Sequence, residues 1–130
     1  FGFDDVSINN IRIYLMCNKQ RAVNDVIIAP VISPYELIKE EVRQLLESNF
    51  HLIYLKTKIS SLKNRDPKRL YVADRGEIDD LIGCSKCNSY NKPQNPELIV
   101  SKIDGVPTKQ SQEGIFNCIN TTVFVGKFNI

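Results

Sequence analysis

No apolar run in this sequence approaches the ~18 residues of a membrane-spanning helix, so no bilayer span is expected. Neither sign of charge dominates: 17 Lys and Arg stand against 15 Asp and Glu, a net charge of +2. That leaves no strong field for nucleic acid or an anionic membrane surface, and neither is expected as a partner. The four cysteines are irregularly spaced, unlike a secreted disulfide framework, and no signal peptide is visible, so a cytoplasmic setting is expected. There is one histidine, His51, at the start of an apolar run, where a structural role is expected. The six glycines fit no G-x-x-x-x-G-K-[ST] pattern, the loop whose backbone amides cradle a phosphate. Gly126-Lys127 runs into Phe128, and Thr121 stands where the first glycine belongs. Internal repeats and low-complexity tracts are absent as well.

What is present is ordinary globular material. The 130 residues are 42% hydrophobic and 25% charged, one domain by length with enough chain for a core. The chain opens on Phe1 rather than Met, which reads as a fragment or a trimmed chain. Ser7 is a candidate N-cap for a helix carrying Ile11, Leu15 and Met16 and running to about Ala22. Val26 to Ile32 is nearly continuous apolar sequence, the signature of a strand buried on both faces of a parallel sheet. Ser33-Pro34 then opens a helix whose apolar face is Leu37, Ile38, Val42, Leu45 and Leu46, with Glu40 and Glu41 facing solvent and Ser48-Asn49 closing it.

A second strand is expected over His51 to Leu55, and short helices over Ser60 to Asn64 and Lys68 to Arg75. A polar surface loop follows from Gly76 to Pro96. The last elements are a strand from Glu97 to Ile103, a weak helix from Gln110 to Asn120 and a β-branched strand from Thr121 to Phe128. Alternation of this kind predicts an α/β fold, a three-layer, doubly wound, mostly parallel sheet with ligands at the carboxyl ends of its strands.

Several motifs recur in one order. Gly2-Phe3 and Asn10-Ile11-Arg12 come first, then Ile32-Ser33-Pro34-Tyr35. Arg65-Asp66-Pro67-Lys68, Leu70-Tyr71, Arg75 and Gly76-Glu77-Ile78 follow, then Gly83, Tyr90, Pro93 and Asn95-Pro96-Glu97-Leu98. In this order and spacing, over roughly residues 1 to 104, the chain resembles the adenylylsulfate kinase family, of the P-loop kinase type. That family transfers the γ-phosphoryl group of ATP, with Mg²⁺, to the ribose 3′-hydroxyl of adenylyl sulfate in sulfate activation. Such catalysis is mostly positioning and charge neutralisation.

The resemblance implies that Phe3 stacks on the acceptor base, that Asn10 hydrogen-bonds it, and that Ile32 and Ser33 line the same pocket with Asp80 and Leu81. It places Ser33 and Lys68 at the reaction, Arg65 with Lys68 in a lid over the phosphates, and Asp104 to Val106 near the ATP base. It also implies a homodimer. On the residues alone, Phe3 reads equally as a core aromatic, Ser33 as a helix cap, and Arg65 and Lys68 as a solvated charged face. Ser33 has no histidine near it in sequence to activate it as a nucleophile.

The departures are specific. The family's phosphate loop and its D-G-D-N segment have no counterpart, so residues 1–130 read as one incomplete kinase domain lacking the N-terminal strands. Leu81 stands in for the aromatic that closes over the base, Val72-Ala73 for paired lysines, Asp79 for a lysine and Arg69 for a glycine. Glu36 and Lys39 replace arginines that follow S-P-Y, and the D-R that precedes E-N is not recognisable between Asp4 and Asn10. Loss of cations disfavours a dianionic sulfate ester, at about 1.5–3 kcal/mol per lost charge-assisted contact. Two alternatives therefore stay open: another nucleotide-linked acceptor, such as a cytidine diphosphoramidate, or an inactive nucleotide-binding or dimerisation remnant. Cys84-Ser85-Lys86-Cys87 lacks the second pair of ligands zinc requires and any thioredoxin-like surroundings, and reads as a surface-loop pair.

Overall fold

A computed structural model describes residues 2–71, 81–83, 89–101 and 108–124. The chain forms two compact units, one from residues 1–50 and 75–94, the other from residues 51–74 and 95–130.

The first unit is built on two helices joined by an irregular stretch. Helix α1 spans Phe3–Gln20. It starts earlier than Ser7 because Gly2 caps it: the Gly2 N–H donates to Asp5 Oδ2 at 3.1 Å, and Asp4 and Asp5 sit at the positive end of the helix dipole. Ser7 lies one turn inside, buried, its hydroxyl donating to the Phe3 carbonyl at 2.7 Å. The buried stripe of α1 is Ser7, Asn10 and Tyr14, whereas Leu15 and Met16, expected inside, are exposed.

Helix α2 spans Glu36–Leu46 with Tyr35 as its N-cap, and a 3₁₀ turn follows at Glu47–Asn49. Tyr35, Ile38, Val42 and Leu46 lie on one helical stripe and form the core with Tyr14, flanked by Val6, Ile11, Val31 and Phe50. Leu37 and Leu45, expected on that face, are exposed, while Glu40 and Glu41 face solvent as expected.

The stretch 26–32 is not a strand. No partner pairs with it among the described residues. Nor is it buried on both faces, since Ile28 and Ile32 are 73% and 65% exposed. An apolar run becomes a strand only when a neighbour takes its backbone groups.

The second unit contains strands β1, Ile53–Lys56, and β2, Leu98–Ser101. They pair in parallel, Ile53 opposite Leu98 through Lys56 opposite Ser101. Glu97 seeds the pairing: its N–H donates to the Leu52 carbonyl at 3.0 Å, and its carboxylate accepts the Leu52 N–H at 2.6 Å. Helix α3, Ile59–Asn64, follows β1, and helix α4, Thr108–Ile119, packs on β2.

Residues 67–71 form turns rather than the start of a helix; the rest of the Lys68 to Arg75 segment lies outside the described residues. After α4 the chain continues helically as a wide π turn over Asn120–Phe124, not as the start of a strand; the rest of the Thr121 to Phe128 segment lies outside the described residues. The hydroxyls of Thr121 and Thr122 donate back to the carbonyls of Asn117 and Cys118 at 2.7–3.2 Å, supplying partners that a widened turn loosens. Parallel pairing of two strands 40-odd residues apart, with helices between and after, is the α/β class.

Candidate functional site

At one end of the first unit, the start of α1 meets the elbow 32–35 that leads into α2. Asn10 is 1% exposed, and its amide donates to the Ile32 carbonyl at 3.1 Å, tying helix to elbow. The Phe3 ring lies 4.5 Å from that of Tyr35, tilted by 47°. Tyr35 is buried, whereas Phe3 is 48% exposed, so much of its surface is open to a flat partner.

Ser33 is buried in the same elbow, and its hydroxyl has no hydrogen-bond partner among the described residues. Tyr14 lies beside it. Burial pushes the Tyr14 phenol above its ordinary value, and the Ser33 hydroxyl pulls the other way. The two groups nonetheless miss hydrogen-bond geometry, so Ser33 Oγ is left with unused capacity. A nucleophilic serine needs a base, and a phenol held protonated by burial is not one. The chemistry available to Ser33 is hydrogen bonding.

Lys39 is 5% exposed, at the base of the elbow. Its ammonium pairs with Glu36 at 3.0 Å, donates to the Asn91 carbonyl and lies 5.2 Å from the centre of the Tyr90 ring. The other Glu36 oxygen accepts the Gln94 N–H at 2.9 Å, and the Asn91 N–H donates to the Pro34 carbonyl at 2.7 Å. Segment 90–94 is thereby strapped to the start of α2. Earlier in the chain, Gly83 sits in the left-handed region with φ +83°, where an L side chain is strained, which accounts for the glycine.

In the second unit, Asp66 organises the turn that carries the basic motif. Its carboxylate oxygens accept the Leu70 and Tyr71 amides at 2.8 and 2.7 Å, and its carbonyl accepts the Arg69 N–H at 3.2 Å. Arg69 is thereby held at φ +54°, where a glycine is at ease. Arg65 closes α3, its side chain donating to the Ser61 carbonyl at 3.2 Å, and Lys68 is exposed at the turn.

Of the residues singled out by sequence, Phe3, Asn10, Ile32 and Ser33 come together in one place. Leu81 is half-buried in the same unit. Arg65 and Lys68 belong to the other unit. Asp80, Asp104 and Val106 lie outside the described residues. Sequence reasoning missed Tyr35 as the ring behind Phe3, Tyr14 as the neighbour of Ser33, and the Lys39–Glu36 strap. Tyr35 belongs to the Ile32-Ser33-Pro34-Tyr35 motif, and its spacing to Ile38 and Val42 is the available signal.

Parallel strands with helices between and after them, a buried elbow in the first unit and a cationic turn in the second mark an α/β protein. The sequence pattern of the adenylylsulphate kinase family matches residues 1–101. The chain belongs to that family. It is 36% identical over 102 residues to the adenylyl-sulfate kinase of Staphylococcus epidermidis, covering 77% of this chain and 50% of that protein. It is 37% identical over 83 residues to the adenylyl-sulfate kinase of Buchnera aphidicola, covering 62% of this chain and 39% of that protein. With the adenylyl-sulfate kinase of Bacillus licheniformis it shares 38% identity over 77 residues, 58% of this chain and 38% of that protein. The chain thus spans half or less of the length of these curated relatives. Among the described residues, no helix is long and apolar enough to cross a membrane.

Proposed function

We propose that this chain carries the acceptor-binding part of a phosphotransferase that moves the γ-phosphoryl group of ATP to the 3′-hydroxyl of adenylyl sulfate. The supporting observation is the convergence of half-open Phe3, Asn10, Ile32 and unpartnered Ser33 at one elbow. Phe3 offers its open surface to the adenine, and Ser33 Oγ donates to an acceptor oxygen or accepts from its hydroxyl. Asn10 fixes the elbow through Ile32 and so shapes the pocket floor. Leu81 and Asp80 border the acceptor in this reading. Arg65 and Lys68 neutralise phosphate charge, and Asp104 and Val106 flank the ATP base.

ATP and Mg²⁺ are the co-substrate and metal this reading implies. The residues present do not form their phosphate cradle, since no G-x-x-x-x-G-K-[ST] stretch occurs in the chain. Residues 1–130 are read as one kinase domain, cytoplasmic and homodimeric in its complete form. The lost cations at Val72, Ala73 and Asp79 favour a second reading, another nucleotide-linked acceptor such as a cytidine diphosphoramidate. Isothermal titration with adenylyl sulfate, adenosine monophosphate and a cytidine diphosphoramidate separates them. Preferred binding of adenylyl sulfate, lost in Phe3→Ala, is the expected result. No binding of any of the three would overturn the acceptor-site reading.

A further inference from the structure

One residue of the cationic turn in the second unit is strained for no structural reason. Arg69 sits at φ +54°, in the left-handed region that is costly for any residue carrying a Cβ. Asp66 imposes that conformation: its carboxylate accepts the Leu70 and Tyr71 N–H groups, and its carbonyl accepts the Arg69 N–H. All three bonds run to the backbone, and a glycine at position 69 would allow every one of them. The Arg69 side chain therefore adds nothing to the turn that holds it.

It adds nothing to the packing around it either. Arg69 is exposed, and among the described residues its guanidinium has no hydrogen bond, ion pair or ring contact. Other arginines do have such contacts. Arg21 donates to the Leu46 carbonyl, Arg43 lies over the Phe50 ring and Arg65 donates to the Ser61 carbonyl. A side chain kept in a strained conformation that no internal contact offsets points to a ligand.

The surrounding residues define its chemistry. Arg65 and Lys68 are exposed on the same turn. Asp66, the one acid between residues 65 and 71, has both carboxylate oxygens engaged by amides. The turn thus displays three cations against one acid, and Val72 and Ala73 add no charge beyond it. A guanidinium with all its donors free grips two oxygens of a tetrahedral oxyanion at once, which an ammonium does not. Three cations within five residues suit an anion whose charges sit on adjacent groups.

We propose that Arg69 is an anion-binding residue that takes a phosphoanhydride or phosphosulfate group bidentately, beside Arg65 and Lys68. This rests on the reading of Arg65 and Lys68 as the residues that neutralise phosphate charge, and it adds a residue that sets the strength of that grip. The resembled family has a glycine at this position, so the contact is this chain's own. Backbone strain at Arg69 is then stability given up for affinity.

Titration calorimetry of the 130-residue chain with sodium pyrophosphate, adenylyl sulfate and adenosine tests it, on the wild type and on Arg69→Gly, Arg69→Gln and Arg69→Lys. Arg69→Gly should raise the urea midpoint and yet weaken binding of pyrophosphate, adenylyl sulfate or both by about tenfold, the scale of one lost charge-assisted contact. Arg69→Gln should weaken binding as much, and Arg69→Lys less. The difference from wild type should shrink at high salt, and adenosine binding should not change. A loss confined to pyrophosphate assigns the anion to the ATP side; one confined to adenylyl sulfate assigns it to the acceptor. Equal anion affinity in wild type and Arg69→Gly, or no binding of either anion, would overturn the proposal. So would a matching loss of adenosine binding, the mark of a general structural defect. The acceptor reading is separable: it stands or falls with Phe3→Ala, whereas Arg69-dependent binding of pyrophosphate does not involve Phe3.

Discussion

Individual side chains in this protein carry measurable consequences of where they were put. Tyr14 is held above its ordinary phenol value of 10.0 by burial, so the folded state keeps its proton longer than the unfolded state does. Its contribution to stability is therefore fully present below pH 10 and is lost as pH rises through the folded value. Urea midpoints at pH 8 and pH 11 should show a larger alkaline loss for the wild type than for Tyr14→Phe. Arg69 is a second case. Held at φ +54°, it bears a left-handed cost of about 1–2 kcal/mol that glycine avoids, partly offset by glycine's greater entropy when unfolded. Arg69→Gly should raise the urea midpoint by an amount worth roughly 0.5–1 kcal/mol. Ser33 is a third. Removing a buried hydroxyl that has no partner relieves an unmet desolvation cost of about 1–3 kcal/mol, so Ser33→Ala should be neutral or stabilising. The same substitution should weaken acceptor binding in titration calorimetry if the elbow is the acceptor site.

Elements were legible in this sequence where they make their own contacts and illegible where they depend on others. Helix α2 was anticipated because the Ile38, Val42 and Leu46 stripe is local, and Leu37 and Leu45 were misassigned because no local rule sets stripe width. Strand β1 and strand β2 were anticipated to within a few residues because each finds the other in the same unit. Residues 26–32 have the composition of a buried strand but no pairing strand among the described residues, so composition outruns structure there. The β-branched residues of Asn120–Phe124 favour a strand, but two threonine hydroxyls turn back on the helix and a π turn forms instead. The elbow residues were legible through the family resemblance. The Lys39–Glu36 strap was not, because its partners Asn91 and Gln94 are 52 and 58 residues away. Glu36→Gln removes the charge opposite a lysine that is 5% exposed. It should destabilise the first unit by about 2–4 kcal/mol and speed exchange at the Asn91 and Gln94 amides.

At the scale of the whole molecule, apolar surface is in surplus. Among the described residues five hydrophobic side chains are buried, and fifteen large ones are exposed, so little of the apolar sequence contributes to a core. The two compact units are expected to melt in distinct steps: tyrosine signals and far-ultraviolet circular dichroism should give non-coincident urea transitions. Val42→Ala, at a fully buried position, should shift the transition of the first unit by about 1–3 kcal/mol and leave the other in place. The strap over α2 also has a consequence in time. At about 5–20 residues per second of synthesis, Asn91 leaves the ribosome roughly 3–10 seconds after Lys39. Through that interval the lysine has its nearby glutamate but neither the Asn91 carbonyl nor the Tyr90 ring. A nascent chain whose residues 90–94 are still inside the ribosome would present an unfinished first unit to chaperones, and closure waits until that segment has emerged.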